Sequence, residues 1–246
     1  YAMVPVILTL LVVFAGTGQA AFSGNATFMV MSDPHYYDPA LGTEGPAFEA
    51  YLAQDRKMIA ESDAILNAFL DAVLADPPDF LLISGDLTKD GEKASHQKLA
   101  DYLATLEDAG VNVYVVPGNH DVNNPHAYSY SGEEEIPVDT VTPAEFQTIY
   151  ADYGFSEAIA KDPNSMSYLA EPVEGLWVLG LDSCKYDNNI EKPVTSGAFS
   201  PETLNWIVTQ LTAAKTQGKQ VMAMMHHNLV EHFTGQSTLP GMGDEY

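Results

Sequence analysis

Residues 80–121 read FLLISGDLTKDGEKASHQKLADYLATLEDAGVNVYVVPGNHD, and their order decides the fold class. The run 80–84 is short, apolar and rich in Leu and Ile, the pattern of a buried strand, and it ends at Gly85-Asp86. Residues 95–109 have helical character and are closed by Gly110. The run 111–116 is strand-like again and stops at Pro117-Gly118-Asn119-His120-Asp121. Strand and helix in alternation predict an α/β layered fold, with a polar cluster at the end of each strand.

The alternation continues in both directions. Upstream, residues 26–32 form a strand ending where Asp33-Pro34-His35 begins. Residues 54–75 read as a helix with Met58, Ile65, Leu66, Phe69, Ala72 and Val73 on one face, stopped by Asp76-Pro77-Pro78. Downstream, 123–143 is irregular, with Tyr128, Tyr130 and the acidic run Glu133-Glu134-Glu135, and is expected to be a surface loop. A helix follows over 144–160, then a strand pair, 167–171 and 176–181, turned near Glu174-Gly175. A helix over 201–216 leads to a buried strand, 221–225, that ends at His226-His227. With no internal repeat, low-complexity tract or linker, residues 21–246 are expected to form one domain.

Composition limits what such a domain can bind. The chain has 246 residues, 46% of them hydrophobic, enough for a sizeable core. Its 34 Asp and Glu against 10 Lys and Arg give a net charge of -24. That surface repels nucleic acid and anionic membranes, and the absence of a basic cluster argues against a nuclease. Bound divalent cations would invert the field locally. Cys184 is the single cysteine, which excludes an intrachain disulfide and a cysteine-based metal site. Residues 4–14 are almost unbroken apolar and the small residues of 15–21 follow, as in a secretory signal with cleavage near Ala20. Residues 1–20 are therefore expected to be a leader, and the protein to be exported to a periplasmic or extracellular space with no stable membrane anchor.

The polar clusters carry the chemistry. In open α/β sheets the carboxyl ends of the strands converge on the ligand, so Asp33, His35, Asp86, Asn119 and His226 are brought together. Two Asp, two His and one Asn form a mixed oxygen and nitrogen donor set suited to Mn, Fe or Zn. A carboxylate such as Asp86 can bridge two ions, and ions ~3.5–4 Å apart clamp the attacking and leaving oxygens of a phosphoryl displacement.

Asp33-x-His35, Gly85-Asp86, Gly118-Asn119-His120-Asp121 and the strand-terminal His226 resemble, in order, successive motifs of the calcineurin-like metallophosphoesterase family, over about residues 33–226. The resemblance implies a layered α-β-β-α sandwich and hydrolysis of phosphate mono- or diesters, with a metal-bound hydroxide as nucleophile. It implies two divalent or trivalent ions. Asp33 and His35 would hold the first, Asn119 and His226 the second, and Asp86 both. His120 would assist the leaving group and Asp121 would orient its imidazole. A small-molecule phosphate ester is the implied partner, and no partner protein is implied. A scaffold of the same fold without chemistry is the alternative, against which an intact His120 argues.

The family pattern normally closes with a Gly-His-x-His segment, and none occurs here. The expectation is that the sandwich lacks its C-terminal part and that the gene continues past Tyr246 into that segment. Among the remaining histidines, His227 is a candidate for supporting or substrate contact. His96 is expected to be exposed on its helix, and His126, with no motif around it, is read with Tyr128 as part of the surface loop, lining of the substrate cleft being the alternative.

Overall fold

The computed structural model describes residues 24–230; the leader-like segment 1–20 and everything after residue 230 lie outside the described residues. Strand β1 (Phe28–Met31) is followed by α1 (Pro46–Leu52) and α2 (Ser62–Ala75), then by β2 (Phe80–Ile83), α3 (Lys93–Asp108) and β3 (Asn112–Val115). The crossovers run through helices, so the three strands lie parallel in the order β1-β2-β3. Ile83 pairs with Met31 on one side and Val115 on the other. The three strands therefore finish level, and the segments that follow them emerge at one edge.

The remainder is a hairpin, β4 (Tyr128–Ser131) with β5 (Glu134–Pro137), then α4 (Pro143–Ile149), β6 (Ala160–Lys161), β7 (Tyr168–Val173), β8 (Leu176–Leu181), α5 (Pro201–Gln217) and β9 (Gln220–Met225). Strands β6 to β9 form a second sheet in chain order; its last pair is parallel, and Leu181 and Met225 face each other where both strands end.

Side-chain alternation along β8 assigns the layers. Leu176 and Val178 join the same core cluster as β2, β3 and the inner faces of α2 and α3, while Trp177, Leu179 and Leu181 pack with Ala214 of α5. The arrangement is α2/α3, first sheet, second sheet, α5, as an α-β-β-α sandwich requires. Tyr168, fully buried, donates its hydroxyl to Val115 O at 2.9 Å and so links the two sheets through one satisfied polar group.

Local chemistry explains where the elements differ from the sequence expectation. The helix expected over 54–75 begins at Ser62, because the Asp55 carboxylate accepts from Lys57 N at 2.9 Å and folds 55–57 into a turn. Its buried stripe is Leu66, Leu70 and Val73, whereas Met58 and Ile65 are exposed. The helix expected over 144–160 ends at Ile149, although its start is fixed by a Thr142–Glu145 capping box. A π-helical turn, Ala151–Phe155, follows it, and within that turn Gly154, at φ 110°, breaks the helical path and leaves room for the Tyr168 ring. The loop expected over 123–143 contains the β4–β5 hairpin; all of β5 is exposed, so no apolar alternation announced it. Strand β9 is only partly buried, with Met224 as its one buried residue, since it lies at the end of its sheet among the described residues.

His96, expected on the solvent face of its helix, is fully buried. Its Nε2 meets Asp121 O at 2.9 Å and Thr88 Oγ1 at 3.2 Å, and its Nδ1 meets the Tyr150 hydroxyl at 2.8 Å. One imidazole thus ties α3 to the end of α4 and to the loops that follow β2 and β3. Desolvation lowers its proton affinity below the ordinary value of 6.5. The unfolded chain then takes up a proton that the folded chain refuses, so stability is full above pH 6.5 and declines as pH falls below it. His96→Leu should lower stability by about 2–3 kcal/mol at pH 8, for the partners left unpaired. It should also flatten the decline on the acid side, as read from urea midpoints at several pH values. A decline as steep as in the wild type would show that this imidazole contributes nothing to it.

Candidate metal centre

Asp33 and His35 follow β1, Asp86 follows β2, Asn119 to Asp121 follow β3, and His226 follows β9. Ligand atoms of Asp33, Asp86 and His226 lie within 4.8 Å of one another. Asp86 is central: its Oδ2 is 3.7 Å from His35 Nε2 and its Oδ1 3.5 Å from His226 Nε2. A carboxylate with an imidazole on each side has the disposition of a bridge between two ions. Asn119 Oδ1 lies 3.0 Å from His226 Nε2, completing the group on that side.

The rings are set for ligation. His226 Nδ1 is 3.0 Å from Ser84 O and His35 Nδ1 is 3.4 Å from Thr88 O. A backbone carbonyl accepting from Nδ1–H leaves the Nε2 lone pair facing Asp86. Around His226, the lone pairs of Nε2, Asn119 Oδ1 and Asp86 Oδ1 then converge, an arrangement that repels unless a cation sits among them. Burial pushes Asp86 up to about 6 and, with the positive charges of Lys57 and His120 adding to it, His35 down to about 4. The Asp86 shift disfavours the ionised carboxylate that would ligate, a cost that a bound cation offsets, whereas the His35 shift favours the neutral imidazole, the form that ligates. The residues present therefore fit a metal centre of nitrogen and oxygen donors.

Backbone geometry is unusual at the same positions. Asp33, His35 and Asp86 have φ of 52°, 42° and 50°. Left-handed backbone costs an ordinary residue on the order of 1–2 kcal/mol, so something must hold it there. Here the parallel ladder continues past the strand ends: Asp33 N donates to Gly85 O at 3.1 Å, His35 N to Asp86 O at 3.0 Å and Tyr36 N to Leu87 O at 3.0 Å. The loops also touch without intervening side chains. A Cβ on Gly118 would collide with Asp86 N and Oδ1, and one on Gly85, at φ 97°, would stand 2.7 Å from Gly118 N and 2.9 Å from His226 Nδ1.

His120 lies beside this group. Its backbone N donates to Asp86 Oδ1 at 2.9 Å and its ring is 5.1 Å, edge to face, from that of His35. Asp121, expected to orient the imidazole, is turned the other way. Its carboxylate accepts from Leu87 N and Thr88 N at 3.0 Å each, from Gly118 N at 2.7 Å and from Thr88 Oγ1 at 3.2 Å. The carboxylate on the ring is Asp90, with Oδ1 2.8 Å from His120 Nδ1. Desolvation would raise Asp90, but the His120 bond and the Lys89 and Lys57 charges prevail and hold it near 2. His120 itself is desolvated, yet the Asp90 bond and the Asp86 charge leave it above its ordinary value. Nothing in the spacing marked Asp90; only the path of the 86–92 loop brings it to the ring.

The other candidates stand apart. His227 is buried with Nδ1 2.7 Å from Ser183 Oγ, supporting the 182–184 segment. His126 is exposed and meets Glu191 O at 3.0 Å. Tyr128 packs with Tyr37, Phe48 and Tyr130 in a separate aromatic cluster, and its carbonyl accepts from the Tyr37 hydroxyl at 3.1 Å.

Three comparisons bear on the centre. The sequence model of a family described as calcineurin-like phosphoesterase matches residues 26–240. A probable cyclic nucleotide phosphodiesterase from Synechococcus sp. is 46% identical over 44 residues, 18% of this chain and 16% of that protein's length. A crystal structure of a dimetal phosphatase from Danio rerio superposes with a TM-score of 0.54 at 16% identity, covering 83% of this chain and 70% of that one. The last is a likeness of fold.

The close approach of the two loops yields a test. Gly118→Ala should leave the secondary structure in place and separate Asp86 from Asn119, so that metal affinity falls by at least about tenfold, the size of effect seen when the support of a ligand is disturbed. Isothermal titration with Mn and Zn measures it, and unchanged affinity would show that the loops can separate without harm to the centre.

Proposed function

The chain belongs to the calcineurin-like phosphoesterase family, and we propose that it hydrolyses phosphate mono- or diesters at a binuclear metal centre formed by Asp33, His35, Asp86, Asn119 and His226. The observation that carries this reading is the convergence of four strand-end clusters, three from the first sheet and one from the second, with Asp86 at their centre and the His120–Asp90 pair alongside. Asp33 and His35 would hold one ion, Asn119 and His226 the other, and Asp86 both. The mixed donor set favours Mn, Fe or Zn. Ions in such a site supply Lewis-acid stabilisation of phosphoryl charge and make water acidic enough to be a nucleophile at neutral pH.

The protein's own groups do the rest. With Nδ1–H donated to Asp90, the His120 ring is fixed and Nε2 is the atom left to deliver a proton to the departing oxygen. Asp90, kept ionised near neutral pH, favours the protonated imidazole that such a donor needs. Asp121 acts one step back, holding the loops that bear Asp86 and His120 in register.

Two experiments test this reading. Asp86→Ala should lose both ions and Asp33→Ala mainly one, by elemental analysis after dialysis; two ions retained by Asp86→Ala would refute the bridging assignment. His120→Asn should keep its metal and slow alkyl esters by ~10²–10⁴ while affecting p-nitrophenyl esters less, and Asp90→Asn should show the same selectivity at smaller amplitude. Equal slowing across the leaving-group series would remove His120 from the proton transfer.

A further inference from the structure

Lys57 lies between α1 and α2, on the segment that rises from the aromatic cluster of Tyr37, Phe48, Ile59 and Tyr130. That cluster is fastened to the centre by Lys89. The Lys89 ammonium is fully buried, 2.6 Å from Asp90 Oδ2 and 3.4 Å from Glu92 Oε1, and stands 4.5 Å over the Tyr51 ring. Asp55 anchors the other side, accepting from the Tyr51 hydroxyl at 2.8 Å and from Lys57 N at 2.9 Å. The backbone of Lys57 is therefore fixed, and its side chain is delivered to the metal-site edge.

The two lysines beside Asp90 are held differently. Lys89 is 1% exposed and has a close carboxylate partner. The Lys57 side chain is 19% exposed, and its contacts are long: 3.4 Å to Lys89 O, 3.9 Å to Asp55 Oδ2 and 4.0 Å to Asp90 Oδ1. It is also 3.4 Å from His120 Nδ1, which cannot satisfy it, because that nitrogen gives its proton to Asp90 at 2.8 Å. A largely desolvated ammonium on a flexible stem, with no acceptor closer than 3.4 Å among the described residues, is suited to an incoming anion. In a chain of net charge -24 such a cation sits here, beside the group assigned to the leaving oxygen.

We propose that Lys57 is a specificity-determining residue that binds the phosphoryl oxygens of the substrate and favours the dianion of a phosphomonoester over the monoanion of a diester. This rests on the phosphoesterase reading above and refines it. A monoester carries close to two negative charges at neutral pH and a diester one, so a third cation beside two metal ions discriminates by charge.

The test uses the metal-loaded full chain with p-nitrophenyl phosphate, bis(p-nitrophenyl) phosphate and inorganic phosphate. Lys57→Met should lower kcat/KM for the monoester by about 10–100-fold, chiefly through KM, and for the diester by less than about threefold, the span expected for one charge-assisted hydrogen bond. Lys57→Arg should restore most of the monoester activity, and Arg56→Met, next to it and exposed, should behave as wild type. By calorimetry, phosphate should bind Lys57→Met about tenfold or more weakly than wild type. Equal loss on both esters would make Lys57 a support for His120 and overturn the proposal, as would unchanged phosphate affinity or no phosphate binding by the wild type. Failure of the wild type on both esters would instead refute the phosphoesterase reading, and the phosphate titration would still decide the role of Lys57.

Discussion

The centre depends on the Asp121 carboxylate. Fully buried behind the site, it accepts from Leu87 N, Thr88 N, Gly118 N and Thr88 Oγ1, which belong to the loops following β2 and β3. Each bond to a charged group is worth roughly 1.5–3 kcal/mol, and leaving a buried carboxylate or amide without its partner is costly. The loops therefore cannot separate without exposing an unpaired anion and several unpaired amides. Because Asp86 precedes Leu87 and Asn119 follows Gly118, this lock fixes the spacing between two of the candidate ligands. His96 extends the lock to the helices through its contact with Asp121 O and the Tyr150 hydroxyl.

A second constraint follows from the first. To aim side chains at a common point, the segments after β1 and β2 turn within four residues, and they do so by placing Asp33, His35 and Asp86 in left-handed backbone. Glycine would adopt this conformation freely, but glycine has no ligand atom. The cost is met by the continued ladder between residues 33–36 and 85–89, which leaves the strained residues paired on both sides. Strain thus falls on the candidate ligands themselves, where side chains are needed and the geometry favours none.

This division explains how much of the molecule was legible in the sequence. Strands β2, β3 and β8 are short apolar runs largely buried in the sandwich, and β1 is a short apolar run only partly buried, with Val30 exposed; each could be read directly. The polar residues after them were legible for the same reason: an Asp, Asn or His placed at the end of such a run has nowhere to go but the sheet edge. The His120–Asp90 pair was not legible. Asp121 is adjacent to His120 in sequence, yet neighbours at a turn point apart, and the orienting carboxylate arrives from a different loop. His96 was hidden likewise, since one polar residue in a polar helix carries no periodic signal of burial. The β4–β5 hairpin escaped because an exposed strand of Glu and Ile has no buried face to impose alternation.

Electrostatics connects the lock, the strain and the aromatic cluster. With 34 acidic and 10 basic residues, the chain needs its few cations where anions must be tolerated. Two of them, Lys57 and Lys89, flank the Asp90 that holds His120. Lys89 is retained without solvent by two carboxylates and by the faces of Tyr37, Tyr51 and Tyr130, whose rings supply negative potential without adding charge. Burial drives the Glu92 partner up to about 7, and the Lys89 charge opposes that shift. The aromatic cluster is thereby more than a small second core. Its packing energy holds a cation against Asp90, Asp90 holds the His120 ring, and the orientation of that ring is set from outside the strand-end clusters.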